Sequence, residues 1–115
     1  MRNNRYSQLP AYVEKNRFYS LVRFLKNKLS VSFSVRRVKC PKNTLGDCCY
    51  YGKKYLVRVD KNLPEIFAME VVCHEASHCL SWHSSDKDDH GPAFGRAYAK
   101  VYRLFLQWFN KNTGD

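Results

Sequence analysis

All four histidines of this 115-residue chain, at positions 74, 78, 83 and 90, fall inside "VVCHEASHCLSWHSSDKDDHGPAFGRAY", residues 71–98. His74 and His78 are four residues apart. On a helix that spacing puts both rings on one face about one turn apart, where a single tetrahedral ion bridges them. Glu75 is angled off that face, so it reaches a water beside the ion without ligating the ion itself. This H-E-x-x-H arrangement points to one Zn2+ ion and to hydrolysis with Glu75 as general base.

Two residues compete for the third ligand position. His83 lies five residues past His78, and five helical steps turn about 500°, which leaves it about 140° off the ligand face. It ligates only if the helix ends at once. His90 stands at the mouth of a later helix, in a loop long enough to fold back over the ion, and is the better placed. Asp86, Asp88 and Asp89 are close enough in sequence to hold a ligand ring's second nitrogen. Three histidines leave a fourth position for water, whose pKa zinc lowers towards about 7. Glu75 takes its proton, and the carbonyl of a peptide bond is the expected target. Tyr98, Arg96 and His83 are the candidates to stabilise the transition state's oxyanion.

Such a site needs a scaffold. "AYVEKNRFYSLVRFLKNKL" after Pro10 spaces Phe18, Leu21/Val22, Leu25 and Leu29 at three- and four-residue intervals, predicting an amphipathic helix over 10–29. "SVSFSVRRV" alternates, with Val31, Phe33 and Val35 on one face, as a half-buried strand does. Breakers at Pro41, Gly46 and Gly52 divide the next segment into a strand near Cys48–Tyr51 and another near Tyr55–Asp60. "NLPEIFAMEVVCHEASHCL" is apolar on nearly every side except the His74/His78 face, which predicts a buried central helix with Asn62 as its N-cap. From Pro92, Phe94, Tyr98, Val101, Phe105 and Trp108 form one stripe of a last helix. The expected fold is α+β: an N-terminal helix, a short three-stranded and mostly antiparallel sheet, the H-E-x-x-H helix and a C-terminal helix. Residues 1–115 read as a single domain.

Charge is unevenly spread over the net +10. Residues 1–63 carry fifteen Lys+Arg against three Asp+Glu, whereas residues 64–115 carry five against seven. The basic half invites an acidic partner, DNA first, through Arg36, Arg37, Lys39, Lys53, Lys54 and Arg58. No stretch approaches the length of an apolar membrane span, and "MRNNRYSQLP" has no apolar h-region. A soluble intracellular protein without a membrane partner is expected, in the host cytoplasm if phage-encoded. Five cysteines, an odd number, argue for reduced thiols, with Cys73 and Cys79 as small buried helix residues.

"HEASH" followed eleven residues later by "HGPAF", with an aromatic helix behind it, resembles the SprT-like (Spartan) group of small zincin metallopeptidases and related minimal zincins of bacteria and phages. The resemblance covers roughly residues 54–105. It implies zinc on His74, His78 and His90, Glu75 as base, a protein substrate and a small sheet ahead of the H-E-x-x-H helix. It also implies action on DNA-associated proteins. The metzincin pattern does not fit, since its third histidine would fall on Ser84. The zinc-ribbon module that SprT-like proteins often carry is not matched, for Cys40, Cys48 and Cys49 make no C-x-x-C pair. The alternative is a nucleic-acid or host-protein binding module with a structural or secondary zinc site.

Overall fold

"YLVRVD" alternates apolar and polar residues, and its three apolar positions are what the rest of the chain folds around. In the computed structural model, which describes residues 11–112 and side chains from residue 17, Tyr55, Val57 and Val59 are buried beneath the helices. They belong to β3 (Tyr55–Asp60), which comes after β1 (Phe33–Val38) and β2 (Gly46–Tyr50) in the chain and lies between them in the sheet. A four-residue turn makes β2 antiparallel to β3, from Gly46↔Val59 to Tyr50↔Tyr55. The sheet is thus mixed where most of it was expected to be antiparallel. β1 and β2 run in opposite senses, but β3 inserts between them, so β3 must pair parallel to β1, with Phe33↔Tyr55 at one end and Val38↔Asp60 at the other.

Among the described residues three helices accompany the sheet: α1 (Ala11–Lys28), α2 (Glu65–Ser81) and α3 (Pro92–Asn112). Residue 10, the expected start of the first helix, lies outside the described residues. α1 buries Phe18, Leu21, Val22 and Leu25; α3 buries Val101, Phe105 and Trp108. Between them α2 contributes Ala68, Met69, Val72, Cys73, Ala76 and Cys79, so it packs on the sheet and on both other helices. The Trp108 indole N–H donates to Ser20 Oγ at 3.2 Å, satisfying the one polar atom of that buried ring and tying α3 to α1. The α+β class and the three-helix, three-strand inventory are as the sequence indicates.

The start of α2 differs from expectation in a way that matters for the site. Its N-cap is Pro64, whose carbonyl accepts from the Ala68 N–H at 2.9 Å, and no side chain caps it. Asn62 sits two residues too early and uses its backbone N–H on Asp60 Oδ1. What fixes the helix entry is Arg37. Its guanidinium stacks over Phe18 at 4.9 Å and donates to the carbonyls of Asp60, Lys61 and Leu63, the last at 2.9 Å. One planar cation therefore gathers the backbone groups of the β3–α2 connection that no ladder or helix uses. Lysine cannot reproduce this fork. Arg37→Ala is expected to destabilise the fold by roughly 2–4 kcal/mol in urea unfolding, and Arg37→Lys to recover less than half of that. A loss below about 0.5 kcal/mol, the ordinary surface value, would show that the clamp is ornamental.

Candidate metal centre

α2 is held on three sides by core contacts, and the side left over carries His74 and His78. Their Nε2 atoms lie 3.2 Å apart. The chain leaves α2 at Ser81, loops outward, and returns so that His90 Nε2 comes within 3.4 Å of His74 Nε2. The nitrogens of all three rings lie within 4.8 Å of one another. Three imidazoles bound to one tetrahedral zinc at 2.0–2.1 Å would separate their nitrogens by about 3.3 Å. The donor set therefore fits that ion in kind and in spacing.

The return of the loop is built from short polar bonds. Asp86 Oδ2 accepts from the Ala93 N–H at 2.7 Å, capping the start of α3, and Asp88 Oδ1 accepts from the His90 N–H at 2.9 Å. Gly91 suits a close approach: a Cβ there would stand 3.0 Å from the Asp88 carbonyl and 3.2 Å from the Asp86 carboxylate, so the turn would have to give slightly. Asp89 Oδ1 stands 3.5 Å from His90 Nδ1, on the far side of the ring from Nε2. A carboxylate there favours the tautomer with the proton on Nδ1, which leaves the Nε2 lone pair free for a metal ion. Phe94, one turn into α3, lies within 5.0 Å of all three ring centroids and backs the cluster with an apolar wall. Burial first, then the other rings, lowers the pKa values of His74 and His78, so both are neutral bases.

Glu75 points off the histidine face, as its place in the motif requires. It is 8% exposed, and burial, helped by the Asp47 charge, pushes its carboxyl up to about 7. The room for it comes from Gly46 on β2. A Cβ at that position would meet the Arg58 carbonyl and a Val71 methyl, both at 2.7 Å, with Glu75 Cγ at 3.6 Å. Two clefts, of about 570 and 550 Å³, open on either side and share Gly46, His74 and Glu75 as common lining. The first also holds His78, His90, Cys48 and Trp82; the second is apolar, with Leu45, Leu63, Phe67 and Val71, and includes Tyr98.

The other residues singled out in the sequence separate clearly. Tyr98 reaches the site, its ring 6.4 Å from that of His74, and burial raises its phenol so that it stays a donor. His83 turns away to meet Tyr50 edge-on at 4.9 Å and lines neither cleft; Arg96 is exposed and lines neither. Of the six basic residues, Arg36, Lys39, Lys53 and Lys54 are exposed. Arg37 is consumed by the clamp, and Arg58 forms a two-pronged pair with Asp47, its Nε 2.8 Å from Oδ1. Cys73 and Cys79 are buried, as expected. Gly46, Cys48 and Phe94 were not legible as site residues. The glycine beside Asp47, at the start of β2, was the one local signal for a close backbone approach.

No curated protein sequence matches the chain. Among solved structures, the crystal structure of the metallopeptidase zymogen of Pyrococcus abyssi abylysin is similar at 16% identity and a TM-score of 0.44, over 85% of this chain and 93% of that one. The metallopeptidase zymogen of Methanocaldococcus jannaschii jannalysin is similar at 17% identity and a TM-score of 0.42, over 85% and 95%. The SprT-like family profile matches residues 8–113, which include every helix and strand among the described residues and the whole histidine cluster. With nearly all of its length inside that match, the chain belongs to the SprT-like family.

Proposed function

We propose that the chain is a zinc-dependent metallopeptidase in which His74, His78 and His90 hold one Zn2+ and Glu75 is the general base. The observation that carries this reading is the convergence of three imidazole nitrogens at 3.2 and 3.4 Å beside a buried carboxyl that is not one of them. A closed structural site would have no use for that carboxyl, and structural zinc sites usually include thiolates.

When bound, zinc supplies Lewis acidity towards a carbonyl oxygen and towards water. The chain's own residues do the rest. Glu75 accepts a proton from the attacking water and returns it to the leaving amine. Its raised pKa suits a group that must hold a proton between those two steps. Tyr98, kept protonated and lining the cleft beside Glu75, is the candidate donor for the oxygen that gains negative charge. Among the described residues β2 pairs only with β3, which leaves it an edge strand, and Gly46, Asp47 and Cys48 line the cleft. An extended peptide adds to such an edge by main-chain hydrogen bonds, which recognise backbone before side chain.

Metal analysis of the purified chain should give about one zinc. His90→Ala should remove most of it, and His83→Ala should remove none. Retention in His90→Ala would take that residue out of the ligand set. Glu75→Gln should keep fold and zinc while slowing hydrolysis of an unfolded protein substrate by on the order of 10²- to 10⁴-fold. Parental cleavage by that variant would exclude Glu75 as the base.

The exposed cations support a second element of the reading, a weak and sequence-tolerant affinity for DNA that would bring the cleft to DNA-associated proteins. They are not one patch. Lys39 follows β1 at one end of the sheet, and Lys53 and Lys54 occupy the β2–β3 turn at the opposite end. Binding to duplex DNA at low salt should weaken with a log–log slope of about −0.9 per phosphate contacted. Reversing Lys39, Lys53 and Lys54 should flatten that slope without changing zinc content. A slope near zero in the parent chain would remove DNA as a partner.

A further inference from the structure

Cys48 and Cys79 meet where the edge strand passes the end of α2, and their Sγ atoms lie 3.1 Å apart. We propose that these two residues form an oxidisable dithiol site that closes to a disulfide between β2 and α2 on reaction with a peroxide. The inference does not depend on the peptidase reading.

Strand geometry selects the pair. Cys48 stands opposite the fully buried Val57 and so faces the helices; Cys49 stands opposite Leu56 and faces the other way. Although the two cysteines are neighbours in sequence, only Cys48 is directed at α2. Access then divides the roles. Cys79 is 1% exposed, whereas Cys48 is half-buried and lines the larger cleft. A small oxidant entering that cleft meets Cys48, with the second sulfur already in place behind it. A disulfide is about 2.05 Å long, so the sulfurs need close by only about 1 Å, a distance that side-chain rotation covers. Among the described residues this is the one sulfur pair in contact.

The chemistry balances with hydrogen peroxide as oxidant. The Cys48 sulfur attacks one peroxide oxygen, the O–O bond breaks, and Cys48 becomes a sulfenic acid with release of one water. The Cys79 sulfur then displaces the hydroxyl from Cys48, the S–S bond forms, and the Cys79 proton leaves with that hydroxyl as a second water. The two thiols together lose two electrons, and peroxide takes them up. The new bond would join the edge strand to the residue after His78 and fix one wall of the cleft. It would also constrain the unfolded chain between residues 48 and 79, which should raise the melting temperature by roughly 10 °C.

The test is non-reducing peptide mapping of the full chain as purified, before and after stoichiometric hydrogen peroxide. The expected product is a single intramolecular Cys48–Cys79 cross-link, two hydrogens lighter than the reduced chain, reversed by dithiothreitol and melting higher. Cys49→Ser should still form it, and Cys48→Ser should not. If Cys48 and Cys79 remain free thiols, or the cross-link found joins Cys49, Cys40 or a second chain, the proposal is overturned. The map of the parent chain decides this even if a variant fails to fold.

Discussion

Three imidazole nitrogens gathered at 3.2 and 3.4 Å are the constraint that the other elements of this structure answer to. Where the Nε2 atoms carry no proton their lone pairs face one another, and protonated rings repel. Burial and mutual proximity lower the pKa values of His74 and His78. A cation at their centre reverses the balance, because each lone pair then has a partner and no proton is needed. Much of the remaining structure serves to keep these rings where one cation satisfies all three.

That constraint explains the unusual burial of α2. A helix free to shift by a fraction of an ångström would lose the nitrogen spacing, and the core contacts of Met69, Val72, Cys73 and Ala76 prevent it. Arg37 acts at the other end of the same requirement, holding the β3–α2 connection from which the helix starts. The third ring arrives on a loop, so it depends on local bonds: Asp86 and Asp88 fold the turn, Gly91 lets it close, and Phe94 limits how far the rings retreat. Gly46 serves Glu75 in the same sense, by letting the edge strand approach without filling its space.

The sequence carried the helices and strands well because each has a period: β3 runs from Tyr55 to Asp60 as its alternation indicates, and α3 begins at Pro92. It also carried the histidine cluster, since His74, Glu75 and His78 lie on one helix whose geometry is fixed, and His90 was the better placed of two downstream candidates. What it did not carry are relations across the fold. The parallel pairing of β1 with β3 depends on which strand inserts where, and no local pattern records it. Arg37 looked like a surface cation because composition does not reveal three backbone carbonyls converging on it. Cys48 and Cys79, thirty-one residues apart, were unrelated until strand direction and helix position brought their sulfurs together.

The central claim is that three histidine nitrogens, and no sulfur, hold a zinc ion in this chain. X-ray absorption at the zinc edge of the metal-loaded protein tests it without reference to any substrate. The account predicts a first shell of light atoms only, at about 2.0–2.1 Å, with outer-shell scattering from about three imidazole rings. A sulfur scatterer at about 2.3 Å would mean that the nearby thiols, Cys48 first among them, hold the metal, and would contradict it.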